Sequence, residues 1–456
     1  MSGDLFSPER LLDALGDKSA ATGFVVAFSG GRDSSVLLHA LATLRGRLPA
    51  PLRAMHINHG LHADAAAWER HCQAFAVALH SDYISRTVVI DSADSRGLEA
   101  AARAARYAAL GPELRPGEWL LTAHHADDQL ETVLLQLLRG GGPAGIAAMP
   151  ARAPFGAGFL VRPLLEFDRQ TLAAYAEANV LNCVDDPGNI DPQRDRNYLR
   201  HEIVPRLKQR WPSATITIGR AARHAAQAKS LLRDLAALDL DRIAEPGSPS
   251  LPVEAVLALG RARAGNLLRH WLKQRGLPVP DTRRLDTLLK QAAETAGDRA
   301  PQVTWPGTEA RCWQGRIYAF KALDEPVELP TRWHGERLML GSGLGQLHAI
   351  TGTGGLRTGV TAEGLEVRWR QGGERIRAVG QLHHRSLKDL LREAGVVPWL
   401  RNRIPLLWFN DELVAVADLW IADEFAAPAK ETGVRIEWRK RPDHFFGMRQ
   451  RFQAMG

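Results

Sequence analysis

Two short stretches of the chain combine residue types and spacings that can do chemistry. The first is Ser29-Gly30-Gly31-Arg32-Asp33-Ser34. Paired glycines permit a tight backbone whose N–H groups can approach an anion closely. The apolar run Phe24–Phe28 before it reads as a strand, and Ser34–Leu44 after it has helical spacing. A strand-to-helix turn adds the unpaired N–H donors and the positive end of a new helix, so the loop suits phosphate. Ser29 and Ser34 can add hydroxyl donors. Asp33 would repel a phosphate unless a cation stood between them, which implies Mg²⁺. The loop has neither the Gly-Lys-Ser/Thr ending of a Walker A motif nor the Gly-x-Gly-x-x-Gly dinucleotide spacing. An ordinary glycine-rich turn is the plain alternative.

The second stretch is Thr122-Ala123-His124-His125-Ala126-Asp127-Asp128-Gln129-Leu130-Glu131-Thr132. Asp128 and Glu131 are three apart and share a helix face. Near a phosphate loop they could coordinate a cation or hold a substrate ammonium. They could equally be acids favoured in any first helical turn. His124 and His125 read as acid–base groups, ribose contacts or ordinary strand-end residues.

Alternating elements must position these stretches. Strand-like runs at Leu52–Ile57, Ile84–Ile90, Trp119–Ala123 and Phe159–Leu165 alternate with helical spacing at Ala65–Leu79, Leu98–Leu110, Asp128–Leu138 and Thr171–Ala178. That pattern predicts an α/β fold with a parallel sheet and helices on both faces, with ligands at the carboxyl ends of the strands. From Arg196 to Ile243 the chain reads as helix, broken at Trp211–Pro212, with Ser213 available as an N-cap. Helices at Ala262–Arg275 and Thr282–Ala293, with strands at Val303–Trp305 and Ile317–Lys321, suggest a mostly helical α+β module. Residues 341–359 are rich in Gly and Thr. Strands at Leu406–Phe409 and Leu413–Val416 and a helix at Leu387–Ala394 suggest a small C-terminal α+β domain. The expected division is 1–212 catalytic, 213–330 middle, 331–364 linker and 365–456 C-terminal.

A length of 456 residues exceeds one ordinary core and fits two or three domains. Lys plus Arg number 58 against 51 Asp plus Glu, a mild +7 that by itself hardly favours a polyanionic partner. Arginine supplies most of the positive charge and suits bidentate phosphate contact. The three cysteines, Cys72, Cys183 and Cys312, are far apart, which argues against a disulfide framework, a zinc knuckle or a sequence-adjacent cluster site. Met1–Asp13 carries acids and no long apolar core, and no apolar run could span a bilayer, so the expectation is a cytoplasmic protein without a membrane partner.

Ser-Gly-Gly-x-Asp-Ser after a first strand resembles the signature of the PP-loop, or N-type, ATP pyrophosphatases. These cleave ATP between the α- and β-phosphates to adenylate a substrate. Ala-His-His-x-x-Asp-x-x-Glu-Thr, followed by Arg139-Gly140-Gly141-Gly142 and Gly145-Ile146, is similar to the tRNA(Ile)-lysidine synthetase family. So are Arg162-Pro163-Leu164-Leu165, Asp185-Asp186-Pro187, Arg196-Asn197-Tyr198-Leu199-Arg200 with Ile203-Val204-Pro205, and His56-Ile57-Asn58-His59-Gly60-Leu61. The likeness runs in order through roughly the first 210 residues. Arg385-Ser386-Leu387-Lys388-Asp389-Leu390, Pro398-Trp399-Leu400-Arg401 and Ile404-Pro405-Leu406 resemble the C-terminal domain of longer members.

The resemblance implies a two-step ligation. The wobble cytosine O2 of the CAU-anticodon isoleucine tRNA attacks the α-phosphate of ATP and releases pyrophosphate. The L-lysine ε-amine then attacks the activated C2 and AMP leaves. Implied ATP contacts are Ser29, Gly30, Gly31, Arg32, Asp33, Ser34 and His56, with Mg²⁺ on Asp33. Implied catalytic residues are Asp33, Asp128, Glu131 and Arg200, with Asp128 and Glu131 also holding lysine. Arg200, with Arg196 second, would neutralise the α-phosphate; either could instead pair with Asp185, Asp186 or Asp195.

Late in the chain, Arg375, Arg377, Arg385, Lys388, Arg392 and Arg401 belong to a basic cluster with Trp369, Trp399 and Trp408 interleaved. Arginines with aromatics suit phosphate contact and base stacking, so these six are the expected tRNA-binding residues. A solvated basic face over a tryptophan core is the alternative. A second basic stretch, Arg220, Arg223, His224, Lys229 and Arg233, keeps no strict single face. A homodimer is compatible with the sequence. The competing readings are a tRNA thiolase, an ATP-sensing RNA-binding protein without catalysis, and an amidotransferase-type synthetase.

Overall fold

The computed structural model describes residues 5–60, 62–90, 98–185, 194–295, 299–325, 327–330, 332–341 and 343–446. Leu61, Asp186 and Pro187, named above, lie outside them, as do Met1–Asp4. Packing divides the chain into two compact units, Met1–Leu231 and Leu232–Gly456.

The first unit is α/β. Helix α1 (Pro8–Ala14) precedes β1 (Phe24–Ala27), α2 (Arg32–Thr43), β2 (Leu52–Asn58), α3 (Ala65–Ala78), β3 (Asp82–Thr87), α4 (Leu98–Leu110), β4 (Trp119–Leu121) and α5 (Ala126–Leu138). Then come α6 (Pro143–Ile146), β5 (Arg152–Phe155), β6 (Gly158–Val161), α7 (Arg169–Ala178), α8 (Asp195–Tyr198), a π-helical turn Leu199–Ile203, α9 (Val204–Arg210) and α10 (Ala214–Ile243). The sheet order is β3-β2-β1-β4-β6-β5. All neighbours run parallel except β5, which pairs antiparallel with β6 at the edge. Sequence periodicity does not reveal β5, because Pro154 interrupts any apolar alternation; an edge strand tolerates it.

Side-chain alternation divides the strands between two cores. Phe24, Val26, Trp119 and Leu121 point into one with Leu37, Leu38 and Leu41 of α2. Val25, Leu120 and Leu160 point into the other with Met55, Leu110 and Leu114. Each such buried side chain contributes roughly 1.5–3 kcal/mol by leaving water. The strand order reverses between β1 and β4, and the chain leaving both strands opens at the same end of the sheet. Such a switch point is where an open α/β sheet offers a crevice.

The second unit begins within α10, at Leu232, and continues with β7 (Ser250–Pro252), α11 (Val253–Ala258), α12 (Arg261–Gln274), α13 (Thr282–Glu294), β8 (Gln302–Trp305), β9 (Thr308–Trp313) and β10 (Arg316–Lys321). Its sheet, β7-β10-β9-β8, packs Cys312, Ile317 and Ala319 against Leu267, Leu268, Leu285 and Leu288 of the helices. The opposite faces of β9 and β10 carry Trp313, Tyr318 and Phe320, which enter the C-terminal core with Trp333, Leu347 and Leu390. One hairpin thus serves two cores, which makes the middle and C-terminal segments a single unit.

Residues 331–364, expected as a linker, carry β11 (Leu338–Met339), β12 (Gln346–Thr353), β13 (Leu356–Arg357) and α14 (Thr358–Ala362). These β-strands form a sheet with the late strand β20 (Thr432–Arg439), which pairs along the whole of β12. Two of the glycines that suggest a linker, Gly345 and Gly355, make turns against backbone. Gly355 has φ +84°, and a Cβ there would stand 2.4 Å from the Val434 carbonyl oxygen. Between lie β14 (Glu366–Trp369), the hairpin β15 (Arg375–Ile376) and β16 (Arg385–Ser386), α15 (Leu387–Glu393), β17 (Pro405–Phe409), β18 (Glu412–Val416) and β19 (Trp420–Ile421). Among the described residues no helix is long and apolar enough to cross a membrane.

Candidate active site

The glycine loop leaves β1 and opens α2, with Gly31 as N-cap in an extended conformation. Gly30 has φ +81°, and a Cβ there would fall 2.8 Å from Cys72 Sγ and 3.2 Å from Val184 Cγ2. Both the left-handed backbone and the close neighbours therefore require glycine. The Val184 N–H donates to the Gly30 carbonyl at 2.9 Å, so residues after α7 brace the loop from behind. Ser34 is buried; its hydroxyl donates to the Gly31 carbonyl at 2.8 Å and lies 3.1 Å from Ser29 Oγ. The Ser35 hydroxyl donates to the carbonyls of Gly30 and Gly31, each at 3.2 Å. His56, buried on β2, meets the Phe28 carbonyl through Nδ1 at 2.9 Å and so fixes the residue entering the loop. Arg32 and Asp33 stand at the first turn of α2, with Arg32 Nε 3.9 Å from Asp33 Oδ1.

The second stretch leaves β4 and opens α5. His125 is its N-cap: Nδ1 accepts from the Asp128 N–H at 3.4 Å, and Asp128 Oδ2 accepts from the His125 N–H at 3.1 Å. With Nδ1 accepting, the ring proton belongs on Nε2. That atom is 3.5 Å from Asp33 Oδ2 and 3.5 Å from Asp128 Oδ2, so His125 joins the two stretches. Burial alone would lower the His125 pKa, but Asp128, Asp33 and Asp127 outweigh it and raise it. Burial pushes His124 the other way, to about 3, and its Nδ1 lies 2.9 Å from Thr122 Oγ1.

Asp128 and Glu131 share one face of α5, as their spacing requires, and both are buried. Arg196 Nε donates to Glu131 Oε2 at 2.8 Å, and its Nη2 to Asp128 Oδ1 at 3.2 Å. Arg200 Nε donates to Glu131 Oε1 at 2.7 Å, and its Nη2 to Asp128 Oδ1 at 2.9 Å and Glu131 Oε2 at 3.0 Å. The π turn beginning at Leu199 carries Arg200, four residues beyond Arg196, to the same carboxylates. Burial would raise the Asp128 carboxyl, but the surrounding positive charge, Arg196 and Arg200 within it, holds it at about 2. The partners of Arg200 are thus Asp128 and Glu131. Of the acids expected for it, Asp195 lies within reach of Arg139 instead, at 3.9 Å.

Three residues here escape sequence reasoning. Asp127 is buried, pairs with Lys208 of α9 and accepts the Arg169 N–H at 2.8 Å, tying α5 to α7 and α9. Ser35 and Val184 hold the glycine loop. The Asp127–Lys208 pair spans 81 residues of sequence, so no local pattern signals it. Ser35, beside Ser34 in a helix opening, is the one that loop chemistry could have suggested.

Burial works against thiolate formation at the three cysteines. Burial pushes the Cys72 and Cys312 thiols up to about 12, and raises Cys183 as well. A thiolate would be needed for sulfur chemistry at any of them.

The six basic residues expected to meet tRNA lie in the second unit. Arg377 pairs with Asp423 at 3.4 Å and Glu424 at 3.1 Å, Arg385 with Glu393 at 2.5 Å, and Arg392 with Asp389 at 3.4 Å. Arg375 donates to the His384 carbonyl and Arg401 to the Val396 carbonyl. Lys388 is exposed on α15. The interleaved tryptophans are packed: Trp399 stacks on Phe320 with ring centroids 5.7 Å apart, and Trp369 and Trp408 lie against the C-terminal core.

Comparison with known proteins matches this organisation segment by segment. A PP-loop domain family matches residues 7–207, a TilS substrate binding domain residues 251–318, and a TilS substrate C-terminal domain residues 365–438. The tRNA(Ile)-lysidine synthase of Alkalilimnicola ehrlichii is 45% identical over 424 residues, covering 92% of this chain and 95% of that protein. Those of Xanthomonas campestris pv. campestris and Coxiella burnetii are 41% and 39% identical, covering 91% and 95% of this chain and 94% and 97% of theirs. With a PP-loop domain and both substrate domains matched in order, and relatives 39–45% identical over more than nine-tenths of its length, the chain belongs to the tRNA(Ile)-lysidine synthase family.

Proposed function

We propose that this chain ligates L-lysine to C2 of the wobble cytidine of the CAU-anticodon isoleucine tRNA, using ATP and releasing pyrophosphate and AMP through an adenylated cytidine. The observation that carries it is His125 Nε2, 3.5 Å from both Asp33 Oδ2 and Asp128 Oδ2. These contacts bring the glycine loop and the carboxylate block together, which supports a single shared site.

The Gly30–Gly31 backbone and the first turn of α2 hold the β- and γ-phosphates, which leave as pyrophosphate. Asp33 Oδ1 is buried and accepts no hydrogen bond, a donor set suited to a cation. Among the described residues no group of three His, Cys, Asp or Glu side chains could hold a metal. Asp33 would therefore share Mg²⁺ with phosphate oxygens, the usual arrangement for that ion. Bound there, Mg²⁺ supplies charge neutralisation at the phosphates.

Asp128 and Glu131 balance Arg196 and Arg200, two charges against two. A triphosphate gives the guanidinium groups a second anionic partner and leaves carboxylate oxygens for the lysine ammonium. Arg200 then faces the charge that builds on the α-phosphate. Carboxylates that bind the ammonium raise its pKa, so the amine must pass a proton to an acceptor before it attacks. The buried, high-pKa thiols disfavour the thiolase alternative.

Purified chain with ATP, Mg²⁺, labelled lysine and CAU-anticodon isoleucine tRNA should transfer label to RNA. Label that stays free, or reaches the methionine tRNAs equally well, would contradict the assignment.

A further inference from the structure

Helix α10 carries the second basic stretch, and the structure sorts its residues. At 3.6 residues per turn, Ile216, Arg220, Arg223, His224, Gln227 and Leu231 fall within an arc of about 100°. Lys229 and Arg233 lie outside it. All six stripe residues are exposed, and all belong to the first unit. From Ala214 to Arg233 the helix contains no Asp or Glu. Among the described residues neither Arg220 nor Arg223 has a carboxylate partner. Among the described residues His224 meets only Gln227 Oε1, at 3.5 Å, within the stripe.

This differs from the C-terminal cluster, where Arg377, Arg385 and Arg392 are each neutralised by a neighbouring acid. Like charges three apart on a helix oppose its stability, so a stripe of this kind gains from an anionic partner. Ile216 and Leu231, at its ends, are 15 residues apart, roughly 22 Å along the axis. They make no single apolar patch of the sort a protein interface buries. Guanidinium groups without acids suit phosphate instead.

We propose that this face of α10 is a docking ridge for the sugar–phosphate backbone of the substrate tRNA, an inference that rests on the tRNA reading above. Arg220 and Arg223 contact phosphates, and His224 and Gln227 offer hydrogen bonds beside them. Such contacts set the position of the RNA and read no bases.

The test is the full-length Arg220→Glu, Arg223→Glu variant, with Lys229→Glu as the off-stripe comparison. The double variant should raise the KM for tRNA at least tenfold and leave the KM for ATP in place. It should also make the slope of log affinity against log salt shallower by about 1.5, two phosphate contacts' worth. Lys229→Glu should move the KM for tRNA less than threefold. An unchanged tRNA KM, or an equal effect of Lys229→Glu, would overturn the ridge. So would a changed oligomeric state with RNA affinity intact, which would make the face a protein interface. If the unaltered chain transfers no lysine to tRNA, the functional reading itself fails; if it does and the double variant matches it, only the ridge fails.

Discussion

Arginine meets carboxylate in both units of this chain, under opposite conditions. In the first, Arg196 and Arg200 close on Asp128 and Glu131, and Glu131 is 1% exposed. In the second, Arg392 and Asp389 pair on α15 with side chains 56% and 47% exposed. Residue types and distances are similar, but water is not. A buried carboxylate loses its hydration, so its arginines must replace every bond it gave up. An exposed pair exchanges one solvated state for another and gains little. Catalytic electrostatics can be concentrated in the first setting and not in the second, although the second holds more of the chain's conspicuous arginines.

Breaking the buried set should have the largest effect. Glu131→Ala leaves two guanidinium groups facing Asp128 alone and should destabilise the first unit by about 3–5 kcal/mol, read by urea unfolding. At temperatures where the variant stays folded, its lysine dependence should weaken. A loss below about 1 kcal/mol would mean that the set is solvated in solution and that the contrast with α15 is false. The small end of the scale sharpens the same comparison. A double-mutant cycle on Arg392→Ala and Asp389→Ala should give a coupling of about 0.2–0.5 kcal/mol. A coupling several times larger would show that exposure does not separate the two classes.

Much of the first unit is legible in the sequence because its signals are local. Strand β1, the glycine loop and α2 follow one another within twenty residues, and Asp128 and Glu131 declare a shared face by spacing alone. The partners of Arg200 are not local. Asp128 and Glu131 lie 72 and 69 residues away, while Asp185, Asp186 and Asp195 were the acids nearby. The π turn that delivers Arg200 breaks the 3.6 periodicity from which helices are read. In the second unit, Val434, Ile436 and Trp438 alternate inward along β20, a period-two signal hidden among charges. The Gly-rich segment 341–359 suggests a linker because a glycine's need for close backbone approach leaves no mark in composition. Tryptophans among arginines suggest stacking platforms, yet Trp399 is half-buried and already packs against Tyr318, Phe320 and His444.

On the proposed reading, the Gly30–Gly31 loop and Asp33 hold a triphosphate for cleavage at its α-phosphate. Pyrophosphate release from ATP in the presence of Mg²⁺, lysine and the CAU-anticodon isoleucine tRNA tests it most directly, comparing the unaltered chain with Asp33→Asn. The unaltered chain should release pyrophosphate together with AMP, and the variant should fall on the order of a hundredfold or more with its unfolding midpoint preserved. Turnover that survives Asp33→Asn, or release of orthophosphate with ADP, would contradict it.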